Sequence, residues 1–183
     1  MRVLLSIFAA LLLSGCWFGG PLYTEADARP GIAPGRYRAV SPGRGTQVIN
    51  ISIRPDGMTM FDSEEAPGPA FAGFVPLDVR GEIFLGWSSP PNARERQTYG
   101  LLRREPSGRY LVYVPWCRDS EAIAAAAGAT VTQPGLENAV CTFNDRASLE
   151  AAMRALAAAP AGEPDIVYTP LPPRDRRDDT QVR

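Results

Sequence analysis

The sequence predicts an α+β domain: an antiparallel β-meander of about six to seven strands, with a C-terminal helix packed on one face. Three observations support this. Three successive pairs of alternating segments are joined by short turns, helical spacing takes over after Cys117, and two cysteines sit close to that change. A meander with one buried face also has room to curl toward a small barrel.

Gly35–Val40 is the first element, a short alternating segment. In Thr46–Arg54 the side chains of Ile49, Ile51 and Ile53 fall on one face, with Asn50 and Ser52 opposite. Pro55-Asp56-Gly57 forms a turn, because proline presets its own φ and glycine tolerates positive φ. Met58–Phe61 then returns as the hairpin partner, and residues 62–73 form a loop. In the second hairpin Val75, Leu77 and Val79 answer Ile83, Leu85 and Trp87 across Arg80-Gly81. A loop with Pro90, Pro91 and Asn92 leads to the third, Gln97–Arg104 with Arg109–Trp116 across Pro106-Ser107-Gly108. There Tyr110, Val112, Val114 and Trp116 share a face.

After Cys117, Asp119 or Ser120 can cap a short helix through Ala127, with Gly128 to end it. Val140–Phe143 reads as a short strand. Asp145 caps a clearer helix, Arg146–Ala159, with Leu149, Ala152, Met153 and Leu156 at helical spacing and Pro160 as its stop. Ile166–Leu171 adds an edge strand, ended by Pro170, Pro172 and Pro173. The expected organisation is a leader at 1–15, a flexible Gly/Pro-rich tether at 16–34, one domain at 35–169 and a disordered tail at 170–183.

The leader carries the most specific signal. Arg2 precedes an apolar run, Val3–Leu13, too short for the ~20 residues that span a bilayer but suited to the core of a signal peptide. It leads straight into Leu13-Ser14-Gly15-Cys16, which resembles the lipobox of bacterial lipoprotein precursors. That resemblance implies cleavage before Cys16, diacylation of its thiol and usually a third acyl chain on the new amino terminus. Several chains, each contributing about 0.8 kcal/mol per buried CH₂, anchor stably. The next residue is Trp17, not the aspartate that holds many enteric lipoproteins in the inner membrane. The resemblance therefore implies the outer membrane, with the domain facing the periplasm.

Outside the cytoplasm the remaining cysteines, Cys117 and Cys141, are expected to pair. The entropic model assigns a loop of this length about 3–4 kcal/mol. A reactive thiol pair would need a CxxC spacing or an activating histidine, and the chain has no histidine.

All 19 basic residues are arginine, and lysine is absent as well. With abundant Ala, Gly and Pro this matches GC-rich codon usage, so the arginines say little about ligands. The missing histidine excludes Ser–His and Cys–His nucleophiles and imidazole metal sites, and the missing lysine excludes a Ser–Lys pair. A net charge of −1 gives no general attraction to nucleic acid. No cofactor or metal motif is present, and Gly43-Arg44-Gly45 is no more than a turn. Only paired carboxylates could support catalysis, as a glycan hydrolase built on Asp62, Glu64 and Glu65. Those residues fall in the 62–73 loop beside Pro67 and Gly68 and lack the EF-hand calcium spacing.

The strand aromatics offer a candidate binding surface. Alternation turns Phe84 and Tyr113 away from Trp87 and Trp116, so some rings lie outside one core unless a helix covers them. Trp87, Tyr99, Tyr113 and Trp116, with Arg103 and Arg104 near the third turn, could meet an apolar partner or an anionic envelope group. Core packing is the default reading for the rings, and a solvated hairpin tip for the arginines. The expected function is a non-enzymatic binding or accessory module, anchored to a membrane by lipid. Its partner would be an envelope protein or a cell-wall component. Small lipoproteins that inhibit cell-wall enzymes share lipidation, a β-rich domain and a disulfide, but only as architecture.

Overall fold

A backbone that alternates faces along each strand can bury two surfaces at once, and this chain does. The computed structural model describes residues 17–63, 65, 68–89, 95–159 and 162–172. Its strands are β1 (Trp17–Gly19), β2 (Gly35–Ser41), β3 (Gly45–Ile53), β4 (Thr59–Ser63), β5 (Ala70–Pro76), β6 (Ile83–Ser88), β7 (Gln97–Arg104), β8 (Tyr110–Tyr113), β9 (Thr130–Thr132), β10 (Val140–Phe143) and β11 (Ile166–Pro170). The helices are α1 (Cys117–Ala126) and α2 (Arg146–Ala158).

The three predicted hairpins form as β3–β4, β5–β6 and β7–β8 with shifted bounds: residues 62–63 and 70–73 of the expected loop belong to β4 and β5, Val79 lies in the β5–β6 turn, and β8 stops at Tyr113. The meander does not stay open. β6 pairs with both β5 and β7, and β11 pairs with both β8 and β2, which closes an eight-stranded antiparallel barrel. Ile166–Leu171 was expected at an edge, and β11 instead stands inside the sheet, with Tyr168 opposite Ala39 on one side and Tyr110 on the other. On the free edge of β7, beyond the reach of β8, the sheet extends through β1, β10 and β9.

Eight strands leave an interior that side chains can fill. Here Tyr37, Ile49, Ile51, Phe74, Phe84, Leu102, Tyr110 and Tyr168 pack as one buried cluster, with Phe61 and Val112 at its margin. Tyr168 stacks on Phe61 at 5.9 Å and meets Tyr37 edge-on at 6.5 Å. Chain 28–34 crosses the lumen mouth beside the start of β2. The N–H of Arg29 donates to the Phe74 carbonyl and Ile32 is buried in the lumen cluster. Gly31 passes so near Phe74 that a Cβ there would lie 2.5 Å from the ring.

The second core lies outside the barrel. Leu85, Trp87, Tyr99 and Leu101 on the outer faces of β6 and β7 pack with Leu149, Ala152 and Met153 of α2, with Phe143, and with Trp17 and Tyr23. Asp145 caps α2 as expected, its carboxylate accepting the Ser148 N–H at 2.8 Å. Helix α1 starts earlier than expected, with Trp116 at its N-cap, so neither Asp119 nor Ser120 caps it. The Cys117–Cys141 disulfide joins the first turn of α1 to β10.

Residues 17–34 are not a flexible tether: they contain β1 and a 3₁₀ turn at Glu25–Asp27, and Trp17 is fully buried. The barrel also uses Pro170, so the domain runs past the expected limit at 169. The tail beyond 172 lies outside the described residues.

If the lumen cluster is the main core, Tyr168→Ala should cost about 3–5 kcal/mol. Urea unfolding measures this, and a loss below about 1 kcal/mol would mean the closing strand is not held by its side chains.

Candidate functional site

Cys16, the lipid acceptor expected from the sequence, lies outside the described residues, but the segment that begins at Trp17 is built into the domain. β1 runs parallel to β10, with Trp17 level with Cys141, and antiparallel to β7, with Phe18 level with Thr98. The Trp17 indole N–H donates to Ser120 Oγ at 2.9 Å, and that hydroxyl donates to the Trp116 carbonyl at 2.6 Å. Trp17 also packs against Phe143, ring to ring, at 5.0 Å. A side chain of this size with its polar atom satisfied is a strong anchor for the segment.

Further on, the Gln97 side chain grips the backbone of Tyr23. Its Oε1 accepts the Tyr23 N–H at 3.1 Å and its Nε2 donates to the Tyr23 carbonyl at 2.6 Å. The ring of Tyr23 stacks on Trp87 at 5.2 Å. Its hydroxyl donates to Glu150 of α2 at 3.1 Å, and burial together with that carboxylate pushes its pKa up. Arg146 completes the latch. It donates to the Leu22 carbonyl, forks onto Asp27 at 2.9 and 2.7 Å, and lies 4.7 Å above the Tyr23 ring. These hydrogen bonds, with those from Thr24, hold the Asp27 carboxyl down at about 2.

This explains the fate of the predicted aromatic surface. Trp87 and Tyr99 are only 4% and 1% exposed, because the amino-terminal segment covers them. Tyr99 donates its hydroxyl to the Gly20 carbonyl at 2.8 Å. The Trp87 ring occupies the space over Gly73, where a Cβ would lie 2.0 Å away. Phe84 points into the lumen as alternation requires. Tyr113 does not oppose Trp87: its register with Leu101 puts it on the same outer face. Arg103 is bound within the fold, donating to the Ala157 carbonyl at 2.7 Å with its guanidinium 6.0 Å from the Tyr113 ring. Arg104 is exposed at the end of β7, and Trp116 is half-buried with Arg118 over its ring at 5.8 Å. The structure thus sets Trp87 beside Tyr99 and Arg103 beside Tyr113, but does not gather the six candidates into one exposed surface.

Asp62 and Glu65 are exposed, and Glu64 lies outside the described residues. Among the described residues the carboxyl that burial raises is Asp165, which directly precedes β11, accepts the Val114 N–H at 2.7 Å and feels the charge of Arg44. Among the described residues no group of three His, Cys, Asp or Glu is placed to hold a metal, and no helix is long and apolar enough to cross a membrane. A shallow cleft of about 310 Å³ lies between the start of β2 and the end of β11, lined by Pro34, Tyr37 and Leu171 among others. Comparisons with protein-family models, with curated proteins and with solved structures yield no match.

Sequence reasoning missed the role of residues 17–34. The signal was present in Trp17, Tyr23 and Ile32, large apolar residues too many for a tether, but Gly and Pro between them break any period.

The latch has a defined pH response. The folded state favours ionised Asp27, so its stabilisation is complete above the ordinary value of 3.8 and is lost as pH falls toward about 2. Calorimetry should therefore show the melting temperature of the native protein falling more steeply over that window than that of Asp27→Asn. Parallel curves would take Asp27 out of the latch energetics.

Proposed function

We propose that this chain is an exported lipoprotein of the bacterial envelope, held in the outer membrane by acyl chains on Cys16 and facing the periplasm. It acts there as a non-enzymatic accessory module that binds an envelope protein or a cell-wall component. The observation that carries the reading is the lipobox Leu13-Ser14-Gly15-Cys16, followed at once by a folded, disulfide-tied domain. The packed lumen supports a role for the outer surface over one inside the barrel.

The surface offered to a partner is the outer wall of β3 to β5. Helix α2 packs on β6 and β10, and the second core reaches Gly73 and Val75 on β5, so the part left open among the described residues runs over β3, β4 and the start of β5. On it Ser52, Met60 and Phe71 stand level with one another, and Arg54 lies 5.3 Å from the Phe71 ring. Phe71 is 38% exposed, on a barrel whose other rings are mostly buried. An apolar residue beside an arginine is the kind of anchor that protein interfaces use.

Cys16→Ser should release the protein from the membrane fraction, and intact-mass spectrometry should find no acyl chains on it; an acylated, membrane-bound product would overturn the anchoring. For the partner, the protein is crosslinked in cells, solubilised in detergent and captured. A stoichiometric protein lost with Phe71→Glu supports the accessory reading. Recovery unaltered by that substitution would move the interface elsewhere.

A further inference from the structure

We propose that the anchored domain has no stalk and lies with one defined side directly on the bilayer: the side formed by the β9–β10 turn and the first turn of α1. This rests on acylation at Cys16. A flexible 16–34 segment would have spanned about 24 Å r.m.s. and left the domain free to tumble. Instead Trp17 is 0% exposed and held in β1 between β7 and β10. Consecutive Cα atoms are about 3.8 Å apart, so the acylated residue must adjoin the domain surface.

Topology says which surface that is. β10 runs parallel to β1 and β9 antiparallel to β10, so the turn at 133–139 lies at the end where the chain enters β1. Leu136 projects from this turn and is 55% exposed. The Glu121 carboxylate accepts the Gly135 N–H at 2.9 Å, which fixes the turn to α1. At the start of that helix is Trp116, under the Arg118 guanidinium. An amphipathic indole beside an arginine suits the headgroup level, and a leucine can dip below it.

The occupant is the lipid of the anchor's own membrane, met through apolar contact and a short leash. Charge does not draw it there, because Arg118 stands against Asp119, Glu121 and Glu137 in the same segments. β3 lies four strands from β7 in either direction around the barrel, so its exposed residue Asn50 lies outside the proposed contact side and serves as the water-exposed reference.

The test uses the full-length, exported and acylated protein, carrying a nitroxide label at Leu136→Cys or at Asn50→Cys, in phosphatidylcholine vesicles. Power saturation compares collision with oxygen and with a water-soluble nickel complex. The expected ratio of oxygen to nickel accessibility is several-fold higher at 136 than at 50. Insertion of a long Gly/Ser linker between Cys16 and Trp17 should bring position 136 down to the value at 50. Equal ratios in acylated, vesicle-bound protein would overturn the proposal, and so would protection at 136 that survives the linker. Absence of acyl chains and of vesicle binding would overturn the anchoring reading instead, which mass spectrometry of the same sample distinguishes.

Discussion

The structure depends on the closure of a sheet. Every strand carries N–H and C=O groups that need partners, and a meander of hairpins leaves two long edges without them. β11 fills the place between β2 and β8, while β6 and β7 join the other hairpins, so no long edge remains around the barrel. Closure also makes the lumen a dry interior for Tyr37, Phe61, Tyr110 and Tyr168, which an open sheet would have left partly wet. Chain ends set the order of events: β2 opens the barrel and β11 completes it, so the lumen cannot be finished until nearly the whole domain is assembled.

A barrel filled by its own side chains has only its outside with which to do anything. That outside is unequal. On the β6–β7 side the amino-terminal segment, the β1–β10–β9 extension and both helices build a second core, joined by the disulfide, by Arg146 with Asp27 and by Tyr23 with Glu150. Among the described residues the outer faces of β3 and β4 carry no such layer. The asymmetry places the segment that begins at Trp17 on one side of the barrel and the open outer faces of β3 and β4 on the other. The apolar burial of Trp17 dominates this placement; the ion pair of Arg146 with Asp27 is largely exposed and adds direction more than stability.

Much of this was legible in the residues. The turns at Pro55-Asp56-Gly57 and Pro106-Ser107-Gly108, the Asp145 cap, the α2 stripe and the Cys117–Cys141 pairing arise from local rules of φ, capping and spacing, and the structure contains each of them. Ile166–Leu171 was recognisable as a strand but not as the closing strand. Its neighbours, Ala39 and Tyr110, are far away in sequence, and alternation within a segment says nothing about which edge it will join.

By itself the sequence determined the local conformations and the residue types available for chemistry, because these depend on a residue and its close neighbours along the chain. Tertiary structure alone decided which of the two apolar faces of β6 and β7 became lumen and which became the seat of α2. It also buried Trp87 and Tyr99 beneath a segment that composition had marked as a tether. The reason is physical: burial is a property of what lies across from a side chain in space, and for Trp87 the covering residue is Tyr23, which the chain brings there only when the barrel exists to receive it.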